Sequence, residues 1–169
     1  MRPIAPVERE LRAEGAGSVA IGLAGLAGAL LLGASPARAL VPFAVVAILL
    51  AAVQAGIGYR WFRSTSSDAG PPADDVMVET APDTRRRTMV KLSLPIGLVI
   101  VMLIVTPALG AIIGGVLAGI GAVDLVTSRW ATGRRRNGTV VYRELGGSPF
   151  SGGRRPLYTR PTSEITEET

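Results

Sequence analysis

The stretch GAIIGGVLAGIGAVD, residues 110–124, decides the fold of this chain. It consists of small and apolar residues and ends on a carboxylate, Asp124. No charged residue lies between Lys91 and Asp124, so the stretch belongs to a still longer uncharged segment. Uncharged apolar segments of about 20 residues or more are typical of transmembrane helices. The pattern therefore predicts an all-α, polytopic membrane protein.

Breakers within the apolar segments set the number of spans. The first two segments, 15–37 and 39–59, each have the length of one span and are separated by Arg38. The third, 92–123, is too long for one helix of about 20 residues and short for two. The sequence TPALG at 106–110 contains the turn formers Pro and Gly and divides it. We therefore expect a bundle of four transmembrane helices, arranged as two helical hairpins.

The distribution of arginine supports four spans rather than three. Arginines are concentrated in the N-terminal segment, the central linker and the C-terminal tail, whereas the two short turns contain only Arg38. Positively charged segments prefer the cytoplasmic side. Four spans place all three basic segments there, with both termini cytoplasmic in the cell membrane, whereas three spans would export the basic tail. The predicted lipid-facing basic clusters are Arg85, Arg86, Arg87, Arg134, Arg135 and Arg136.

A cleaved signal peptide is an alternative for the first segment. GALLLGASPARA resembles an apolar core followed by a small-x-small cleavage site at 37–39. The preceding segment carries Glu8, Glu10 and Glu14, which cancel its arginines, whereas signal peptides begin with net positive charge. We therefore favour a retained first span.

These boundaries divide the chain into five parts. They are an N-terminal cytoplasmic segment at 1–14, a first hairpin at 15–60, a linker at 61–87, a second hairpin at 88–130 and a basic tail at 131–169. The compositions of the linker and the tail predict disorder. Within the tail, TVVYREL at 139–145 alternates like a strand that pairs with the sheet edge of a partner.

The absence of two residue types excludes several kinds of catalytic and metal-binding site. The chain of 169 residues contains no cysteine and no histidine, so thiolate and imidazole nucleophiles, bases and metal ligands are absent. We predict no catalytic, cofactor-binding or metal-binding residues. The net charge of +5 lies beside the apolar segments, where it attracts anionic lipid head groups rather than nucleic acid.

Small residues recur along the helix faces. Residues three and four apart share a face of a helix, and small faces allow transmembrane helices to pack closely. The fourth span carries two such faces, and the second of them (Gly115 and Gly119) is also a candidate interface between copies of the chain. The predicted packing residues are Gly22, Gly25, Gly110, Gly114, Gly115, Gly119 and Gly121. Trp61 and Trp130 flank the second and fourth spans as predicted interface anchors.

The carboxylate of Asp124, at the end of an apolar segment, is expected to pair with another polar side chain of the chain. Counted from the turn at 106–110, Lys91 and Asp124 lie at the same depth, and Gln54 has a similar offset from its own turn. An unpaired charge at this depth costs about 3 kcal/mol at most on insertion scales. We therefore predict a polar clamp of Gln54, Lys91 and Asp124 that sets the register of spans two, three and four.

Two functions are compatible with these features. The first is an accessory, scaffold or assembly subunit without catalytic machinery, which packs through its helices and contacts lipid, a membrane-protein partner or a second copy through its tails. The alternative is a small oligomeric transporter or channel that moves protons or cations through Asp124. The outer part of the spans has few polar residues besides Thr106, which favours the first. The alanine- and arginine-rich usage is typical of a bacterium with GC-rich DNA.

Overall fold

The computed structural model describes residues 6–71, 81–143 and 157–161. The described residues form five α-helices, one π-helical segment and a two-stranded antiparallel ribbon. In chain order these are α1 (Val7–Leu31), α2 (Pro36–Gln54), the π-helical segment (Ala55–Tyr59), α3 (Arg60–Asp68), α4 (Ala81–Val105), α5 (Pro107–Arg136), β1 (Thr139–Arg143) and β2 (Leu157–Pro161).

Both short connections between long helices form at a residue that precedes proline. Ser35 and Thr106 have extended backbones, with ψ angles of 146° and 120°, and Pro36 and Pro107 begin the following helices. The proline ring disfavours helical geometry at the residue before it and fits the first turn of a helix. The predicted turn at 106–110 is therefore tighter than expected, because α5 begins at its second residue.

Within the described residues, four helices are long and apolar enough to cross a membrane. They are Val7–Leu31, Pro36–Asp68, Pro82–Val105 and Pro107–Arg135. The second of these is continuous because the π-helical segment joins α2 to α3. The predicted number of apolar helices is confirmed, and it indicates a helical membrane protein.

The helices pack around α5 rather than as sequential pairs. α1 lies along most of α5, α2 lies on another side of α5, and α4 contacts both α1 and α5. Contact between α1 and α2 is sparse, and near their turn Ala29, Ala39 and Ala111 are buried together. The two predicted hairpins therefore give the order in which the helices are connected, whereas the closest helix packing is between α5 and both α1 and α2.

A small folded unit, here called the cap, lies at the end of the helices opposite the two turns. It consists of the start of α1 (residues 7–11), α3, the end of α5 (residues 130–136) and the β1–β2 ribbon. Its apolar core contains Val7, Leu11, Phe62, Ala131, Val141 and Leu157. The ribbon is anchored to the end of α3, because the backbone N–H of Thr159 donates to the carbonyl oxygen of Gly70.

The linker and the tail were predicted to be disordered, but their described parts form helices and strands. Residues 60–68 and 81–87 are helical, and α5 continues to Arg136. β1 pairs with β2 in register from Thr139 opposite Pro161 to Arg143 opposite Leu157, so the strand predicted at 139–145 pairs within the chain rather than with a partner. Residues 1–5, 72–80, 144–156 and 162–169 lie outside the described residues.

Candidate functional site

Lys91 of α4 is held by two carboxylates of α1. Its Nζ lies 2.6 Å from Oε1 of Glu14 and 3.4 Å from Oε1 of Glu10. The glutamates are four residues apart and therefore lie on one face of α1, toward α4. The side chain of Glu10 is only 3% exposed and that of Glu14 14%, and this ammonium group stabilises both charges. The cluster fixes α4 against the first turns of α1.

Asp124 lies against α1, and Gln54 lies against its own helix. A Cβ atom built on Gly15 would lie 3.1 Å from the Cβ of Asp124, so Asp124 faces α1 beside Glu14. The amide oxygen of Gln54 lies 3.1 Å from the equivalent position on Gly58, so this side chain follows its own helix into the π-helical segment. Asp124 is half-buried, as is Gln54.

These positions differ from the predicted clamp. The nearest carboxylate to Lys91 is Glu14, whereas the sequence-based prediction assigned Lys91 to Asp124. Within the described residues, no hydrogen bond joins Gln54 to Lys91 or Asp124. The prediction treated residues 1–14 as a cytoplasmic segment before the first span, at most a short interfacial helix, and so left Glu10 and Glu14 outside the bundle. α1 begins at Val7 and brings them into it.

The first small-residue face of α5 packs against the backbone of α1. A Cβ atom on Gly22 would lie 2.4 Å from the carbonyl oxygen of Gly114, and one on Gly114 would lie 2.5 Å from that of Gly22. Gly25 faces Gly110 at 3.0 Å, and Gly121 faces the carbonyl oxygen of Gly15 at 2.6 Å. Any side chain at these positions would separate the two helices.

The second face of α5 packs against α2 of the same chain. Cβ atoms on Gly115 and Gly119 would lie 2.5 Å and 2.4 Å from the carbonyl oxygens of Phe43 and Ala47. This face was also considered as an interface between copies of the chain. The structure covers it with α2, so Gly115 and Gly119 are unavailable to a second copy.

The two tryptophans lie at the border between the cap and the helices. Trp61 and Trp130 pack against the apolar core of the cap. The ring of Trp130 contacts Phe62 edge to face, with centroids 5.8 Å apart, and the guanidinium carbon of Arg134 lies 5.5 Å from the Trp130 ring centroid. Arg134 therefore forms a cation–π contact within the protein.

The predicted basic clusters divide between the cap and the surface. Arg135 donates to Oε1 of Glu8 at 2.9 Å, an ion pair that ties the end of α5 to the start of α1. Arg85 and Arg86 are exposed at the start of α4, and Arg87 is half-buried. The side chain of Arg136 lies outside the described part of the chain.

A crevice of about 370 Å³ opens between the first turns of α1 and α4. Its walls combine two arginines, two threonines and three apolar side chains: Arg9, Ala13, Thr84, Arg85, Thr88, Met89 and Leu92. Sequence reasoning missed this site, because Arg9 and Thr88 are distant in sequence and neither belongs to a motif. The described residues contain no group of three or more acidic side chains that could hold a metal ion.

Comparison with protein families, with curated proteins and with solved structures finds no match to this chain. Its function must therefore be argued from its own residues.

The sequence contained one signal that α1 continues before Gly15. The small face of α1 runs through Gly15, Ser18, Gly22, Gly25 and Ala29 at alternating spacings of three and four. The same spacing continues backward through Leu11 to Glu8, both of which are buried. Extending the periodicity would have placed the start of the helix near Val7.

Proposed function

We propose that the protein is a four-span integral membrane protein that serves as an accessory or assembly subunit, with both termini in the cytoplasm and the cap as its binding surface for a partner protein. The distribution of charge supports this orientation. Among the described residues, Arg38 is the only charged residue near the two turns, whereas the other arginines lie at or near the cap. Basic segments favour the cytoplasmic side of the membrane.

The cap is the observation that carries the proposal. It brings together segments as distant as Val7 and Leu157 around one apolar core. Within the cap, the ion pair of Arg135 with Glu8 and the edge-to-face contact of Phe62 with Trp130 join its segments to one another. The exposed side of α3, with Arg63, Ser67 and Asp68, is thereby held in one position. A rigid surface outside the apolar helices is suited to binding a protein because little conformational entropy is lost when the partner binds.

The packing of α5 favours this role over transport through Asp124. Along both small faces of α5 the backbones approach so closely that a single methyl group would not fit. The α1–α5 and α2–α5 interfaces, as described, therefore leave no room for a water-filled path. The half-buried Asp124 contributes to the contact between α5 and α1 at Gly15.

Site-specific photo-cross-linking in cells tests the proposal. A photoreactive residue replaces Ser67, an exposed position on α3 in the cap, and the matched control replaces Ser35, an exposed serine at the opposite end of the helices. We expect Ser67 to give a discrete protein adduct that disappears when untagged full-length chain is expressed in excess. The Ser35 position should give no such adduct.

The alternative function predicts different results. Equal adducts from both positions, or adducts that excess untagged chain does not compete, would contradict a specific partner at the cap. Proton or cation flux in liposomes that contain only this protein, abolished by Asp124→Asn, would replace the proposal with a transporter.

A further inference from the structure

The crevice between α1 and α4 contains a buried hydroxyl group without a partner. Thr88 is 7% exposed, and its Oγ1 has no hydrogen-bond partner among the described residues. The buried Thr127, by contrast, is satisfied by its own helix, because it donates to the carbonyl oxygen of Val123 at 2.8 Å. A buried hydroxyl without a hydrogen bond costs about 1–3 kcal/mol. Thr88 lines the crevice, and rotation of its side chain to another rotamer would bring the hydroxyl group from its buried position to a ligand there.

Cationic groups stand at the same crevice. Arg9 on α1 and Arg85 on α4 are exposed and line its walls. On α1, Glu10 and Glu14 pair with Lys91 and Glu8 pairs with Arg135, and none of the three glutamates lines the crevice. Two guanidinium groups beside a hydroxyl donor fit a phosphate group, which accepts charge-assisted hydrogen bonds.

The remaining walls are apolar and lead toward the hydrophobic helices. Ala13, Met89 and Leu92 complete the crevice, and Leu92 packs against Gly17, where the uncharged part of α1 begins. A free phosphate ion would gain nothing from these side chains, whereas the glycerol backbone and the first methylenes of a lipid would bury apolar surface against them. The volume of about 370 Å³ is in the range of small-molecule sites, about 300–1,000 Å³.

We propose that the crevice binds the headgroup phosphate of an anionic phospholipid, with Arg9 and Arg85 as the cationic groups and Thr88 as the hydrogen-bond donor. This site is distinct from the diffuse attraction of the arginine clusters to a charged membrane, because it depends on one buried hydroxyl. It does not require the cap to bind a protein partner.

Native mass spectrometry of the full-length protein in a neutral detergent tests the site. Phosphatidylglycerol is titrated onto the wild type, Thr88→Val, Arg85→Gln and Arg86→Gln. Arg86→Gln is the matched control, because it removes the same charge from the adjacent exposed residue, which does not line the crevice. We expect Thr88→Val and Arg85→Gln each to raise the lipid Kd about 10-fold, as for the loss of a charge-assisted hydrogen bond, and Arg86→Gln to leave it within about twofold.

Stability without lipid gives a second measurement. Valine has the shape of threonine without the hydroxyl group, so lipid-free Thr88→Val should unfold at the same temperature as the wild type or higher. Unchanged lipid binding by Thr88→Val would overturn the proposal, as would equal losses for Arg85→Gln and Arg86→Gln. Competition by glycerol 3-phosphate or inorganic phosphate at the lipid's own Kd would overturn the assignment to a lipid in favour of a soluble phosphate.

Discussion

The α1–α5 interface and the cap are held together by opposite means. Between α1 and α5 the backbones themselves touch, as at Gly22 and Gly114. In the cap, large side chains such as Phe62 and Val141 are buried against one another. On the proposed topology, the difference reflects the lipid that surrounds the α1–α5 interface and the water that surrounds the cap. In lipid, apolar side chains gain little by leaving the solvent, so close backbone contact holds helices together, whereas in water the burial of large side chains is the main driving force.

The largest effect should come from a side chain in the backbone contact. In Gly114→Val the new Cβ would meet the carbonyl oxygen of Gly22, which cannot rotate away as a side chain can. We expect a loss of more than the roughly 1–3 kcal/mol that is typical of overpacking, seen as little folded protein in size-exclusion chromatography. Gly97→Val is the control, because Gly97 is also helical and a Cβ there meets nothing within 4 Å. Equal yields of the two variants would contradict the close contact.

A loss confined to one region should follow from truncation in the cap. Phe62→Ala removes a side chain that is 3% exposed and should destabilise the cap by about 3–5 kcal/mol. Hydrogen exchange should become faster in β1, β2 and α3 and remain slow in α5 near Gly114. The control Ile48→Ala, at a position 68% exposed on α2, removes apolar atoms from the outer surface and should change little. Faster exchange throughout α5 in Phe62→Ala would contradict separate stabilisation of the two regions.

Breaking the ion pairs of Lys91, where the cap meets the helices, should cost the least stability of the three changes. Lys91→Gln leaves Glu10 and Glu14 without their shared cation and should cost about 3 kcal/mol, at the low end for a broken buried pair because Lys91 is 27% exposed. Adding Glu14→Gln should recover part of this loss, measured by denaturation of the purified protein. Recovery by Asp124→Asn and none by Glu14→Gln would instead support the clamp predicted from the sequence.

The same contrast explains what the sequence could and could not predict. Uncharged segments and residues before proline act locally, so the four apolar helices and the break at Thr106 follow from the sequence. The cap depends on contacts between residues as distant as Leu11 and Leu157, which no local periodicity reveals. Lys91 was assigned to Asp124 because the two lie at equal calculated depth, and residues 1–14 were placed outside the first span, so Glu10 and Glu14 were not considered as its partners.

The crevice, too, could not be predicted from local sequence. Thr88 follows three arginines and has the appearance of an ordinary polar residue at the start of a helix. In the fold, Thr88 is buried beside a crevice to which α1 contributes Arg9 and Ala13, and its hydroxyl has no partner among the described residues. Such a site arises from tertiary packing and has no signature in the sequence of either helix.

Single-cysteine labelling tests the central claim most directly, namely that the helices cross the membrane with the cap in the cytoplasm. The chain has no cysteine, so Ser35→Cys and Ser67→Cys each introduce one exposed thiol, at opposite ends of the helices. A membrane-impermeant maleimide should label Ser35→Cys in intact cells and Ser67→Cys only after the membrane is opened. Labelling of Ser67→Cys in intact cells, or equal labelling of both variants there, would contradict the account.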